Sequence, residues 1–345
     1  MSELNEAPLL RRLVSLWSLS VDGYPVTLAW SPDGSLLAVA AAEGTVHLFD
    51  TDGRSYATLA GHAMGVLDLS WSRDGSRLVT GGQDGVARIW RPDGTCTATL
   101  DHGKQWVQRA RFAPHAPQLV TAAGRQLRFW GADGEPLLAC EPEDYTIEDC
   151  QWLDDGTGVV TCAYGAARIW RAANVRAVQS YAWHGALLAV ATSPRGHALA
   201  AGLQEAGLHY WRMTDGDALY MRGYATKVRE LSWDADGRYL ASGGGASVVI
   251  WDCTGSGPAG TEPLVLDLHV KPITALAFAP RGSALASGSR DGSAVVIGPE
   301  TEDGAGSLVR DSPVSELAWN PDGSRVAFAF EDGHIAVCPG AGASG

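Results

Sequence analysis

Nothing in the chain approaches the roughly 18 consecutive apolar residues of a membrane-spanning helix, so a helical membrane protein is excluded. The opening MSELNEAPLLRRLV is acidic and then basic, with no long apolar run. It carries no targeting pattern, and the cytosol is the expected compartment. No CxxC pair occurs among the six cysteines (Cys96, Cys140, Cys150, Cys162, Cys253, Cys338), most of which sit in apolar strand patterns. Reduced, buried thiols are expected, with neither a disulfide framework nor a zinc site. Basic residues are short against acidic ones, 26 to 39, and the net charge of −13 argues against nucleic acid and anionic membrane surfaces. A Gly-x-Ser-x-Gly elbow is also missing.

What the chain does have is glycine, 42 of 345 residues, and enough apolar character (46 %) to bury a large core. It also has a period. An aromatic residue followed by a turn recurs as Trp30-Ser-Pro-Asp-Gly, Trp71-Ser-Arg-Asp-Gly, Phe112-Ala-Pro-His and Trp152-Leu-Asp-Asp-Gly. Thr192-Ser-Pro-Arg-Gly, Trp233-Asp-Ala-Asp-Gly, Phe278-Ala-Pro-Arg-Gly and Trp319-Asn-Pro-Asp-Gly continue the series. Successive spacings are 41, 41, 40, 40, 41, 45 and 41 residues, and the long interval contains the loop insertion 255–263. An internal repeat of this length means one structure built from stacked units, whatever the chain length alone suggests.

Each unit reads as four short strands. The first alternates and ends at the anchor, as in Val66-Leu-Asp-Leu-Ser-Trp71. Pro-Asp-Gly makes a tight turn, because Pro presets φ and Gly accepts positive φ. The second strand, such as Leu36-Leu-Ala-Val-Ala-Ala41, is apolar on both faces and so buried on both. A third such as Val86-Ala-Arg-Ile-Trp90 and a fourth such as Tyr56-Ala-Thr-Leu59 complete the unit. Long helices have no room.

Gly61-His62, the Ser-Pro-Asp-Gly turns, the Asp84-Gly85 turn and third strands ending Ile89-Trp90-Arg91 or Ile250-Trp251-Asp252 together resemble the WD40 repeat family over roughly residues 11–338. The resemblance implies an all-β propeller, with four-stranded sheets set radially around a channel. Eight units lead to an expectation of eight blades, against an alternative of seven with one degenerate unit outside the ring. Unit eight stops after Ile335-Ala-Val-Cys338, and Leu13–Leu19 stands in fourth-strand register ahead of unit one. The expected organisation is a tail at 1–10, one propeller over 11–338 with residues 11–20 as the strand that closes the last blade, and a flexible tail at 339–345. Closure removes two exposed sheet edges.

The resemblance also implies a buried hydrogen-bonded set of His, Ser/Thr, Asp and Trp, matched in full by His62, Thr80, Asp84 and Trp90. The third unit keeps His102, Thr121 and Trp130 without the Asp. The seventh keeps His269, Ser287 and Asp291 without the Trp, and the sixth puts Tyr224 in the His place. Recurrence of Ser/Thr, His and Asp at the repeat period makes them architecture and not a hydrolytic triad. The stretch Gly255-Ser-Gly-Pro-Ala-Gly260 fits a dinucleotide fingerprint by letters only, since strand and not helix follows.

Ten of thirteen tryptophans are absorbed by the repeat and Trp17 by the closing strand; Trp106 and Trp183 remain, both at fourth-to-first-strand junctions. In a propeller those junctions and the second-to-third-strand turns emerge on one face. Tyr24, Tyr145 and Tyr224 fall at similar junctions, and with Gln83 they outline a candidate protein-binding rim. The charge on that face is uneven. Glu148 stands among the acidic residues Glu141, Glu143, Asp144 and Asp149, whereas Lys227, Arg229, Lys271 and Arg290 mark the sixth and seventh units. First-strand residues near the axis read as mainly small and apolar. The expected function is a non-catalytic interaction scaffold, monomeric, binding one or more proteins and no cofactor. The alternative is a small-molecule or metal-ion sensor using the channel.

Overall fold

A computed structural model describes residues 10–255, 257–298 and 305–340, so the expected tails lie almost wholly outside the described residues. Regular structure there is β-strand throughout, apart from a single 3₁₀ turn at Pro194–Gly196. The first repeat is typical: Pro25–Trp30, Leu36–Ala41, Thr45–Asp50 and Ser55–Ala60 pair in that order, each antiparallel to the last. The second strand of that sheet is almost wholly buried, as continuous apolar sequence requires.

The anchors join one repeat to the next. Trp71 donates its Nε1–H to the Ala29 carbonyl of the preceding repeat (3.1 Å), Trp152 to Arg111 (2.9 Å) and Trp319 to Ala277 (2.9 Å). Trp30 closes the circle onto Ala318 of the last repeat, 3.2 Å away. Where the anchor is Phe the indole donor is gone and a serine one repeat earlier takes over. The backbone N–H of Phe112 donates to Ser70 Oγ (3.2 Å), and that of Phe278 to Ser232 Oγ (2.9 Å).

The strands assemble into seven hydrogen-bonded sheets, which corrects the expectation of eight blades. No repeat lies outside the ring. Repeats four and five instead share one six-stranded sheet, Asp149–Trp152, Val159–Trp170, Gln179–Thr192, Ala198–Leu203, Leu208–Arg212 and Ala218–Met221. A shortened turn accompanies the fusion, although repeat three shares the shortening and keeps a sheet of its own. Thr80 and Trp90 are 10 residues apart in repeat two, whereas Thr161 and Trp170 in repeat four are 9 apart. The connection shrinks to Tyr164-Gly165, with Gly165 at φ +92°, and strand structure runs through it unbroken. Tyr164 then pairs with Ala186, and Gln179–Thr192 serves both as the last strand of repeat four and the first of repeat five.

Residues 11–20 do not act as one strand. Trp17–Ser20 pairs antiparallel with His334–Pro339 and completes the sheet of repeat eight. Arg11–Arg12 runs parallel to Ala305–Val309 and adds a fifth strand to the sheet of repeat seven. Leu13 N–H bonds Ser307 O at 2.8 Å and Leu16 N–H bonds Val337 O at 2.7 Å, so the segment straps two neighbouring outer edges.

Candidate partner-binding face

The structure separates residues that hold the repeats from residues that face outward. In repeat two, His62 Nε2 meets Thr80 Oγ1 at 2.7 Å and His62 Nδ1 meets Asp84 Oδ1 at 3.0 Å. Trp90 Nε1 donates to Thr80 Oγ1 at 2.9 Å, and Arg88 donates to Asp84 at 2.9 Å. Burial pushes the Asp84 carboxyl up, but the bonds from His62, the Ala63 N–H and Arg88 outweigh it and hold it below its ordinary range. Burial lowers the His62 pKa, so the imidazole is neutral at pH 7. With Thr80 and His62 buried and engaged with each other, this set presents no nucleophile to solvent.

The other repeats vary one plan. The position 18 residues before the second-strand hydroxyl holds His62 in repeat two and His269 in repeat seven, while Glu143 and Tyr224 take it in repeats four and six. Glu143 accepts from Thr161 Oγ1 at 2.6 Å and pairs with Arg168; it is a buried strut and not part of an acidic rim. Tyr224 OH meets Ser242 Oγ at 2.7 Å and accepts from Trp251 Nε1 at 2.8 Å. In repeat three the shortened turn omits the Asp, and buried His102 Nδ1 is left without a partner. Burial, with Arg128 beside it, takes that histidine down to about 4.

Two of the expected rim residues stand at this offset. Tyr224 points its hydroxyl into its own blade. Trp183 stands 18 residues before Ala201 and packs against His184, His209 and Tyr220, with ring centroids 4.2, 4.6 and 5.1 Å away. Its indole N–H is buried and unbonded. Trp106, Tyr145 and Tyr24 are outward, at 55, 53 and 40 % exposure. Tyr145 lies against exposed Tyr164, centroids 4.9 Å apart. Backbone bonds tie junctions to turns on this face: Ala42 N–H to Tyr24 O, Gln83 N–H to Gly65 O, Arg290 N–H to Pro272 O. Trp106 borders an open pocket of about 540 Å³ with Lys104, Gln105, Thr146 and Glu148. Gln108 ties its floor, accepting from Gly124 N–H (3.1 Å) and donating to Ile147 O (2.9 Å). Lys227, Arg229 and Arg290 are exposed, and Gln83 and Glu148 half-buried.

The channel is not apolar. Three residues before the anchors stand Asp68, Arg109, Asp149, Glu230 and Glu316. Arg109 Nε bonds Asp149 at 2.7 Å, and Arg111 Nε reaches Asp68 at 3.3 Å. Asp149 therefore belongs to the channel and not to the rim. Glu230 and Glu316 form no ion pair and accept backbone bonds, from Arg229 N–H (3.4 Å) and Leu317 N–H (3.0 Å). Burial raises Glu316 to about 7, helped by Glu230 and opposed by Arg109 and Arg111. Residues of repeats three, six and eight sense one another only because their strands converge on the axis. Among the described residues there is no disulfide and no cluster of three or more His, Cys, Asp or Glu that could hold a metal. Burial pushes Cys150 up to about 12 and raises neighbouring Cys162 well above the ordinary thiol range, so both stay thiols.

The family described as "WD domain, G-beta repeat" matches residues 15–50, 53–91, 219–252 and 260–297. The chain carries WD40 repeats. It is 25 % identical over 230 residues to the WD repeat-containing protein slp1 of Schizosaccharomyces pombe, covering 64 % of this chain and 46 % of that one. It is 26 % identical over 167 residues to the anaphase-promoting complex subunit cdc20 of Dictyostelium discoideum, covering 46 % and 32 %. It thus spans less than half the length of either relative. The matched stretches fall on repeats one, two, six and seven, and the unmatched ones include all but the last strand of the fused sheet of repeats four and five. No helix among the described residues is long and apolar enough to cross a membrane.

Proposed function

We propose that this WD40 chain is a non-catalytic scaffold whose protein partners dock on the face formed by the inter-repeat junctions. The observation carrying the proposal is the division of labour among its aromatics. Most indoles of the sheets are spent on bonds to Thr80, Thr121, Thr161, Tyr224 or a neighbouring backbone, whereas Trp106, Tyr145 and Tyr164 are held out on one face. Exposed aromatics beside a pocket are the usual anchors of protein interfaces. The Ser/Thr–His contacts among the described residues are committed to the architecture. That one relative is named as a subunit of a complex agrees with a protein-binding role.

The test pairs capture with melting. Trp106→Ala should lose the partner drawn from the native host and melt like the wild type. Trp130→Ala, which removes the donor to Thr121 at 2.8 Å, should melt lower. Loss of melting temperature in Trp106→Ala with capture intact contradicts the proposal. A second reading, a ligand in the channel, is favoured by the unpaired carboxylates Glu230 and Glu316. It predicts that a polyamine raises the melting temperature of the wild type and not of Glu316→Gln.

A further inference from the structure

The chain has three lysines, Lys104, Lys227 and Lys271, and all of them lie on the junction face. Two stand side by side on repeats six and seven with Arg229 and Arg290, and all four side chains are exposed. Salt bridges hold Arg54, Arg77, Arg88, Arg109, Arg111, Arg168, Arg176, Arg212 and, at the next junction, Arg310, but none of these four cations has one. In a chain of net charge −13 an arc of unpaired cations is a local reversal of sign.

The backbone beneath the arc is equally particular. Repeats two, seven and eight carry an aspartate in the second-to-third-strand turn (Asp84, Asp291, Asp332), whereas repeat six has Gly243-Gly244-Gly245-Ala246-Ser247. Thr226 N–H bonds Gly244 O at 3.0 Å and Ile273 N–H bonds Gly245 O at 2.9 Å, so this glycine turn lies between the Lys227 and Lys271 junctions. Asp291 is turned inward, accepting from Val270 N–H (2.7 Å) and Ser293 N–H (2.8 Å). Glu230 folds over Gly243 toward the channel. The four cations outnumber the carboxylates beside them, which are Glu230 and Asp267, the latter accepting from Ser247 Oγ at 2.5 Å. Tyr224 and Val228 lie under Gly244.

We infer that the arc formed by Lys227, Arg229, Lys271 and Arg290 over the glycine turn of repeat six binds an acidic linear segment of a partner protein. The inference rests on the scaffold reading and names the chemistry its partner brings: several carboxylates, or a phosphate, presented in extended chain. Charge complementarity sets the segment's position, because the chain as a whole is acidic and these four cations are grouped on two adjacent repeats.

The probe is a fluorescent hexaglutamate peptide, followed by anisotropy, with a neutral peptide carrying one phosphoserine in a second arm and a single-stranded oligonucleotide in a third. Hexaglutamate or the phosphopeptide should bind, the tighter of the two identifying the anion. Lys271→Glu/Arg290→Glu should weaken that binding by at least about tenfold. Arg91→Glu/Arg281→Glu, an equal charge change on the opposite face, should leave it unchanged, and both variants should melt like the wild type. Binding should also fall with added salt, which reads the arc without any substitution. Equal losses in both double variants, no binding of either peptide, or tighter binding of the oligonucleotide overturns the inference. Capture of the native partner by Trp106→Ala is a separate readout, so the arc can fail while the scaffold stands.

Discussion

Glu316 gives the sharpest physical test. Its carboxyl sits in the channel wall with one backbone bond and no ion pair, Glu230 on the repeat next but one adds like charge against the opposing Arg109 and Arg111, and its pKa is raised from 4.5 to about 7. A carboxyl raised on folding stabilises the protein while it is protonated. That contribution is complete below the unfolded value and is lost as pH rises through the folded one. At about 1.4 kcal/mol per pH unit, ionising this group should cost the folded state at most about 2–3 kcal/mol between pH 5 and pH 8. Glu316→Gln keeps the shape and the acceptor for Leu317 N–H but cannot ionise. The assay is urea unfolding followed by tryptophan fluorescence at both pH values. The variant should be close to wild type at pH 5 and the more stable protein at pH 8. An equal difference at both pH values, or a less stable variant at pH 8, would refute the reasoning.

Trp90→Phe removes the donor to Thr80 and should cost about 1–3 kcal/mol in urea titration. Trp211→Phe should cost less, because Ala201 stands in register where repeat two has Thr80. Deleting residues 1–20 strips both outer-edge strands, Arg11–Arg12 and Trp17–Ser20, and should lower the melting temperature and promote aggregation; an unchanged melt would show that the strap is dispensable.

Much of this fold was legible because it is carried by repeated local chemistry. The anchor-and-turn period locates the strands, and the His–Thr–Asp–Trp pattern is present atom for atom in repeat two. The fused sheet was not legible as such. Its sign in the sequence is the pair of 40-residue spacings, each marking a turn one residue short, but whether a short turn merely tightens or lets a strand run on depends on Tyr164 finding Ala186 across the junction.

The site divided along a similar line. Trp106 and Tyr145 lie beyond the buried offset and are exposed, whereas Trp183 and Tyr224 occupy that offset and are drawn into their blades. Counting 18 residues back from the second-strand hydroxyl separates the two pairs. The channel charges carried a periodic signal too, three residues before the anchors, obscured because Thr27, Ala189 and Ala275 interrupt it. Exposure itself, which decides whether an aromatic is an anchor or a strut, depends on how neighbouring blades pack.

The central claim is that partners dock on the junction face, and hydrogen–deuterium exchange of the chain with and without a captured partner tests it most directly. The account predicts slowed exchange at the junctions 103–108 and 144–148 and at the turn 243–247, with no change in the turns of the opposite face at 32–35 and 73–76. Protection confined to those opposite turns would contradict it.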